Sequence, residues 1–267
     1  MLRSEIKPAL SASGESHANP RLDFEIVAET ADYAVVNKPP FLLVHPTKPN
    51  GPRTLWGELR ELFAYELANG GQVSIVNRLD RETSGLVLVA KTAAAARQFG
   101  LLMQKGRVAK EYLALVWGWP EWDTRLVDAP LLRQGTQTPS AIYLKQAIHP
   151  AGLPAQTEFR VERRFQRETS AGSRFALVRA IPLTGRTHQI RVHLNSIGHP
   201  LIGDPVYGIT QRRSALPAAA LEFSRQALHA ARLALTHPVT KEELSWESAL
   251  PADISGLIDL LNNAPPA

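Results

Sequence analysis

Short runs of Val, Ile, Leu and Ala alternate along the chain with polar breaks that carry Gly and Pro. Residues 24–28 and 33–37 read as two strands joined by the polar turn E-T-A-D. Lys38-Pro39-Pro40 ends the second, and a third apolar piece at 42–44 stops at His45-Pro46. Over 54–68 the spacing becomes helical: Leu55, Leu59, Leu62, Phe63 and Leu67 share a face, Thr54 is placed as N-cap, and Asn69-Gly70-Gly71 as the stop. The runs at 73–76 and 86–90 have the density of buried strands and flank a polar knot from Asn77 to Gly85. Thr92 caps a second helix reaching Lys105 and stopped by Gly106, and a strand follows at 110–117.

The next stretch, around Pro130, Pro139, Pro150 and Pro154, reads as hairpin or loop excursions. Paired strands are expected at 157–164 and 174–181 across an exposed turn at 168–173. A helix over 186–197 turns Ile190, Leu194 and Ile197 inward, with Gly198 after its end. Residues 203–208 form a tight loop, 211–220 a mobile stretch, and 232–236 with 244–247 a last strand pair. No internal repeat or compositional break marks a second domain. The fold class expected is α+β with a largely antiparallel sheet, as one domain over 21–255 between a disordered tail (1–20) and a C-terminal tail (256–267).

At 267 residues, with 44% apolar and 21% charged side chains, the chain has the composition of a globular protein with a full core. No apolar run reaches the length of a membrane span, and the first twenty residues lack the apolar core of a secretory signal. Cys 0 excludes disulfides, thiolate metal sites and cysteine nucleophiles, and fits a reducing, cytoplasmic setting. The net charge of +5 permits a polyanionic partner, and arginines cluster at 160–167, 174–179 and 212–213, although a solvated surface is the simpler reading of any one cluster.

Several chemistries drop out. There is no Gly-rich phosphate loop, no Ser in a nucleophile elbow, and no His pair at i, i+4 with a Glu, so neither a nucleotide cofactor nor a metal is expected. Two polar segments remain. In N-R-L-D-R-E-T-S-G (77–85), Asp80 lies between Arg78 and Arg81 on a short loop between core strands, where a nucleophile or general base would be held rigidly. Taken alone, an Asp that hydrogen-bonds its own turn is the simpler reading. In T-G-R-T-H-Q-I-R-V-H (184–193), Arg186, Thr187, His188, Gln189, Arg191 and His193 crowd one helix start. That density suits a phosphate grip or an Arg–carboxylate pair, and an exposed basic face accounts for it equally well.

Together these segments closely resemble the RluA-type RNA pseudouridine synthases. The matching pieces run in order: V-V-N-K-P-P-F-L-L-V-H-P (35–46), N-R-L-D-R-E-T-S-G-L-V-L-V-A-K (77–91), K-E-Y-L-A-L-V-W-G (110–118), L-T-G-R-T-H-Q-I-R-V-H-L (183–194), G-H-P-L-I-G-D-P-V-Y-G (198–208) and L-H-A-A-R-L-A-L-T-H-P (228–238). The resemblance implies a single catalytic domain on a mixed, mainly antiparallel central sheet flanked by helices and loops, with an RNA cleft across it. It implies isomerisation of uridine to pseudouridine in structured ribosomal or transfer RNA by a monomer without a cofactor. Asp80 matches the nucleophile, Tyr112 the tyrosine stacked on the target base, and Arg186 the arginine that pairs with the catalytic carboxylate. His188 and Arg191 fall in the supporting shell, and Arg78, Leu79, Arg81 and Thr83 complete the substrate-binding set.

The chain departs from the family at Asn77, where His is usual, and Asn is expected to hold the loop by its own hydrogen bonds. Many relatives also carry an N-terminal S4-type RNA-binding domain. With about twenty residues ahead of the catalytic part that module is expected to be absent, leaving substrate choice to the catalytic domain or a partner.

Converting uridine to its C-glycoside breaks the N1–C1′ bond and makes a C5–C1′ bond without redox change. The Asp80 carboxylate can attack C1′ or remove a ribose proton to give a glycal, and the residues do not choose between these routes. An RNA-binding protein without catalysis would not need Asp80, Tyr112 and Arg186 together, and a carboxylate-dependent hydrolase would want a second acid, for which Glu82 is poorly placed.

Overall fold

The computed structural model describes residues 23–262 apart from 50, 139, 141, 143, 167–173 and 208–222. The expected N-terminal tail, the turn at 168–173 and the stretch at 211–220 lie outside the described residues. The chain runs β1 (Glu25–Glu29), β2 (Tyr33–Lys38), α1 (Leu55–Leu62), α2 (Ala64–Ala68), β3 (Ser74–Ile75), β4 (Ser84–Ala90), α3 (Ala93–Gln104) and β5 (Ala109–Trp117). There follow β6 (Thr124–Asp128), β7 (Leu131–Arg133), β8 (Gln146–Ile148), β9 (Gln156–Gln166), β10 (Arg174–Pro182), α4 (Gln189–Ser196), β11 (Leu228–Thr236), β12 (Glu243–Glu247) and α5 (Ala252–Asn262).

Among the described residues one sheet of ten strands has the order β1-β2-β4-β11-β5-β10-β9-β6, with β3 beside β4 and β12 beside β11. Every pair is antiparallel except β4–β11, so the sheet is mixed and mainly antiparallel. That one parallel seam is possible because of Gly85. Its φ is +113°, and any Cβ there would collide with the backbone of Ala230 opposite it.

Alternation along the central strands sends side chains to two cores. On one face Tyr112, Ala114 and Val116 pack with Leu55 and Leu59 of α1, Ile190 and Leu194 of α4, and Leu79. On the other, Leu86 and Leu88 pack with Phe99 of α3, while Leu115 and Phe175 pack with Ile254, Leu257 and Leu261 of α5. The caps fall where expected: Thr54 Oγ1 accepts from Gly57 N and Thr92 Oγ1 from Ala95 N.

Four elements differ from expectation. The helix over 54–68 breaks at Phe63, whose ring is buried, into α1 and α2. Within the Pro-rich stretch, β6 joins the main sheet against β9 instead of looping out. Of the tail expected over 256–267, residues 256–262 belong to α5, where Ile254, Leu257 and Leu261 form one buried stripe, and 263–267 lie outside the described residues. Helix α4 starts at Gln189 and not at 186, since His188 takes a left-handed conformation (φ 54°) that cannot continue a helix backwards. No helix among the described residues is long and apolar enough to cross a membrane.

Candidate active site

A cleft of about 820 Å³ opens on the α1/α4 face of the sheet. Its walls include the catalytic and substrate-binding residues expected from the sequence: Asp80, Tyr112 and Arg186, with Arg78, Leu79, Arg81, Thr83, His188 and Arg191; His193 of the same polar segment is buried elsewhere, against Thr157 and Ala129 O. The loop 77–83 that carries Asp80 is clamped from several sides. Asn77 acts as a surrogate strand residue: its Nδ2 donates to Leu86 O (3.1 Å) and its Oδ1 accepts from Leu88 N (2.8 Å) on β4. The carboxamide thus supplies the donor and acceptor that hold the loop, as expected for Asn at this position. Leu79 is buried in the core, whereas Arg78 and Arg81 are exposed at the rim.

Two buried cations grip the far end of the loop. Lys38 Nζ donates to the carbonyls of Arg81, Leu42 and Pro39, and Arg225 Nη1 donates to Glu82 O. Burial, helped by the charge of Arg225 and opposed by that of Asp80, pushes the Lys38 ammonium down to about 7. Arg225 is itself fixed by a two-pronged ion pair with Asp253 at the start of α5.

The turn does not use the Asp80 side chain: it is closed by Thr83 N donating to the Asp80 main-chain oxygen (3.1 Å). The carboxylate reaches across the cleft instead. Oδ2 accepts from Arg191 Nη1 at 2.8 Å and from Gln226 Nε2 at 3.4 Å, and His188 Nε2 lies 3.9 Å away. Because a carboxylate only accepts, the Gln226 amide is oriented with nitrogen towards Asp80, and the same nitrogen bonds Thr83 Oγ1 (2.9 Å). Among the described residues no hydrogen bond reaches Asp80 Oδ1. One oxygen is anchored and the other is left to the cleft.

Arg191 is buried and shared between two acids. Nε and Nη2 donate to the two oxygens of Asp204, each at 2.8 Å, leaving Nη1 for Asp80. Burial opposes its charge, but the hydrogen bonds and charges of Asp204 and Asp80 outweigh that and hold it above the ordinary arginine value. Asp204 is oriented by the backbone N–H groups of Val206 and Tyr207. The Tyr207 ring lies against the guanidinium (5.1 Å), and its hydroxyl accepts from Gln146 N and meets His188 Nδ1 at 2.8 Å. Burial, with the Arg191 charge, depresses the His188 pKa despite Asp80 and Asp204.

Tyr112 projects from the middle of β5 into the floor of the cleft. Burial first, and the Asp80 charge second, push its phenol far up, so it stays protonated at any physiological pH. Arg186 departs from expectation. It is exposed, and its Nε donates to Pro154 O (3.0 Å), so the arginine paired with Asp80 is Arg191. The cause is the start of α4: Gln189 Oε1 accepts from Arg186 N and Thr184 Oγ1, which fixes 184–188 as a rim loop and turns residue 191 inward.

Asp204, Tyr207 and Gln226 were missed as site residues. An Asp and a Tyr in the Gly- and Pro-bearing loop 203–208 were a usable signal, while Gln226 had none. Among the described residues no group of three or more His, Asp and Glu side chains gathers as a metal site.

Asp80, Tyr112 and a rim carrying Arg78, Arg81 and Arg186 thus share one cleft. The family model described as RNA pseudouridylate synthase matches residues 32–196, and the chain belongs to that family: it is an RNA pseudouridine synthase of the RluA type, an isomerase acting on RNA. It is 40% identical over 251 residues to ribosomal large subunit pseudouridine synthase D of Nitrosomonas europaea, covering 94% of this chain and 69% of that protein. The synthase D of Pseudomonas aeruginosa is 39% identical, over 90% of this chain and 72% of the relative. Among solved structures, human RNA Pseudouridylate Synthase Domain Containing 4 superposes with a TM-score of 0.68 at 25% identity, covering 91% of this chain and 95% of that one. Human RNA Pseudouridylate Synthase Domain Containing 1 does so with 0.65 at 27%, covering 91% and 96%.

Proposed function

We propose that this synthase isomerises uridines of large-subunit ribosomal RNA, as a cytoplasmic monomer, with Asp80 as the reacting carboxylate, Tyr112 under the target base and Arg191 holding Asp80. The observation that carries the site assignment is the one-sided anchoring of Asp80: Oδ2 is tied to Arg191 at 2.8 Å while Oδ1 has no hydrogen bond among the described residues. The ribosomal target is supported by relatives named ribosomal large subunit pseudouridine synthase D at 36–40% identity.

The target uridine would leave its stack, at a cost of a few kcal/mol, and settle with its base on Tyr112 and C1′ towards Asp80. Asp80 then either bonds C1′ or takes a ribose proton. In both routes the N1–C1′ bond breaks, the detached uracil turns, C5 bonds C1′, and the proton leaving C5 is balanced by one gained at N1. The isomerisation is redox-neutral. Buried Leu79 and Leu228 keep the base surrounded while it turns. Mapping pseudouridines by chemical modification in ribosomal and transfer RNA, from cells with and without the protein, tests the target. Loss of specific large-subunit sites is expected; loss confined to transfer RNA would contradict the ribosomal assignment.

A further inference from the structure

Five Lys and Arg side chains are buried among the described residues: Lys38, Lys91, Lys110, Arg191 and Arg225. Four are matched. Lys38 has three carbonyls, Lys91 pairs with Glu29 and Glu66, Arg191 with Asp80 and Asp204, and Arg225 with Asp253. Lys110 is 9% exposed, and among the described residues it has neither an acid partner nor a hydrogen bond. Burial alone acts on its ammonium, pushing the pKa down. A largely covered cation on a cleft wall with no acid to receive it is a costly arrangement for structure's sake.

Lys110 lies two residues before Tyr112 on β5, hence on the same face of the strand, and it lines the cleft. Its neighbour is the exposed rim loop before α4: Nζ is 3.7 Å from where a Cβ on Gly185 would stand, and exposed Arg186 is the next residue. A neutral base carbonyl would leave the buried charge uncompensated. The anions an RNA strand brings to that rim are its phosphates.

We propose that Lys110, with Arg186 beside it on the rim, forms a subsite for one backbone phosphate of the RNA adjacent to the target uridine. The subsite rests on the reading of Asp80 and Tyr112 as the reacting centre, and it sets which way the strand crosses the cleft. Lys110 acts in binding, not in bond making.

Lys110→Met keeps the aliphatic stem and removes the charge. Binding of the full chain is measured against salt, using a stem-loop of large-subunit ribosomal RNA that contains a uridine identified by the mapping. The slope of log Kd on log salt is expected to fall by about 0.7–0.9, the signature of one lost phosphate contact. The single-turnover rate at saturating enzyme should stay within about threefold, and Lys110→Arg should restore the slope. Replacing phosphates next to the target one at a time by neutral methylphosphonates should reveal one position that weakens the wild type and leaves Lys110→Met unaffected. An unchanged slope in folded Lys110→Met, or a lost rate with an unchanged slope, would overturn the phosphate subsite. Should Lys110→Met not fold, the methylphosphonate series on wild type decides: no sensitive position means no subsite. Because binding is read separately from chemistry, an active Asp80→Asn enzyme would break the Asp80 reading while leaving this result interpretable.

Discussion

Asp80, on the loop before β4, and Glu111, on β5, are both carboxylates held by arginine, and they are used in opposite ways. Their side chains are comparably covered, 28% and 18% exposed, so burial does not separate them. Glu111 commits both oxygens: Oε2 to Arg179 at 2.6 Å and Oε1 to Arg232 at 2.7 Å. Burial alone would raise its pKa, but the hydrogen bonds and charges of Arg232 and Arg179 outweigh that and hold it below the usual carboxylate range. Those arginines extend the chain to Glu162 and Glu247, making a ladder across β9, β10, β5, β11 and β12. Asp80, on the face that carries Tyr112, commits only Oδ2. A carboxylate saturated at both oxygens ties strands together. One anchored by a single oxygen is stiff and still has a lone pair for chemistry.

The two arginines of the 184–193 segment offer the largest contrast after Asp80 itself. Arg191→Gln should cut the single-turnover rate by about 10²–10³-fold, the scale seen when a preorganised charged donor is removed. It also unpairs buried Asp204, so melting should be followed alongside. Arg186→Gln should leave that rate within about threefold and raise the RNA Kd only a few-fold, because its guanidinium lies at the rim. Equal losses from both would erase the distinction.

A smaller effect belongs to Gln226. Its amide reaches Asp80 at 3.4 Å, a long bond, so Gln226→Met should slow the chemical step by about 3–10-fold with RNA affinity unchanged. Thr83→Val, which removes the other partner of the same nitrogen, should cost less. The double variant should fall short of the product of the two, as coupled neighbours do. Full additivity would mean that Thr83 does not act through Gln226.

Much of this architecture is legible in the sequence because local signals and global fold agree. The caps at Thr54 and Thr92, the apolar density of 86–90 and the strand at 110–117 are each dictated by nearby residues. What escapes reading depends on distant partners. The T-R-L-V-D run of β6 buries only Val127 and becomes a strand because β9 presents an edge to it. Insertion of β11 between β4 and β5 needs the missing side chain of Gly85, a fact visible only from Ala230 across the seam. The arginine assignment failed for a local reason with a remote cause. Starting a helix at 186 puts Arg186 on its first turn, whereas the left-handed His188, held by Tyr207 from beyond α4, stops the helix at Gln189 and leaves Arg186 on the rim loop. Gln226 enters the site through Arg225 and its pair with α5, a link that no spacing along the chain reveals.

The most direct measurement sets Asp80→Asn beside Glu111→Gln, with pseudouridine formed in one turnover and RNA affinity read on the same substrate. Asp80→Asn should lose at least about 10⁴-fold in rate with Kd within a few-fold. Glu111→Gln should keep wild-type rate and affinity while losing about 1 kcal/mol of stability from its partly exposed pairs. An Asp80→Asn enzyme that still isomerises uridine at near wild-type rate would contradict the assignment of the chemistry to Asp80.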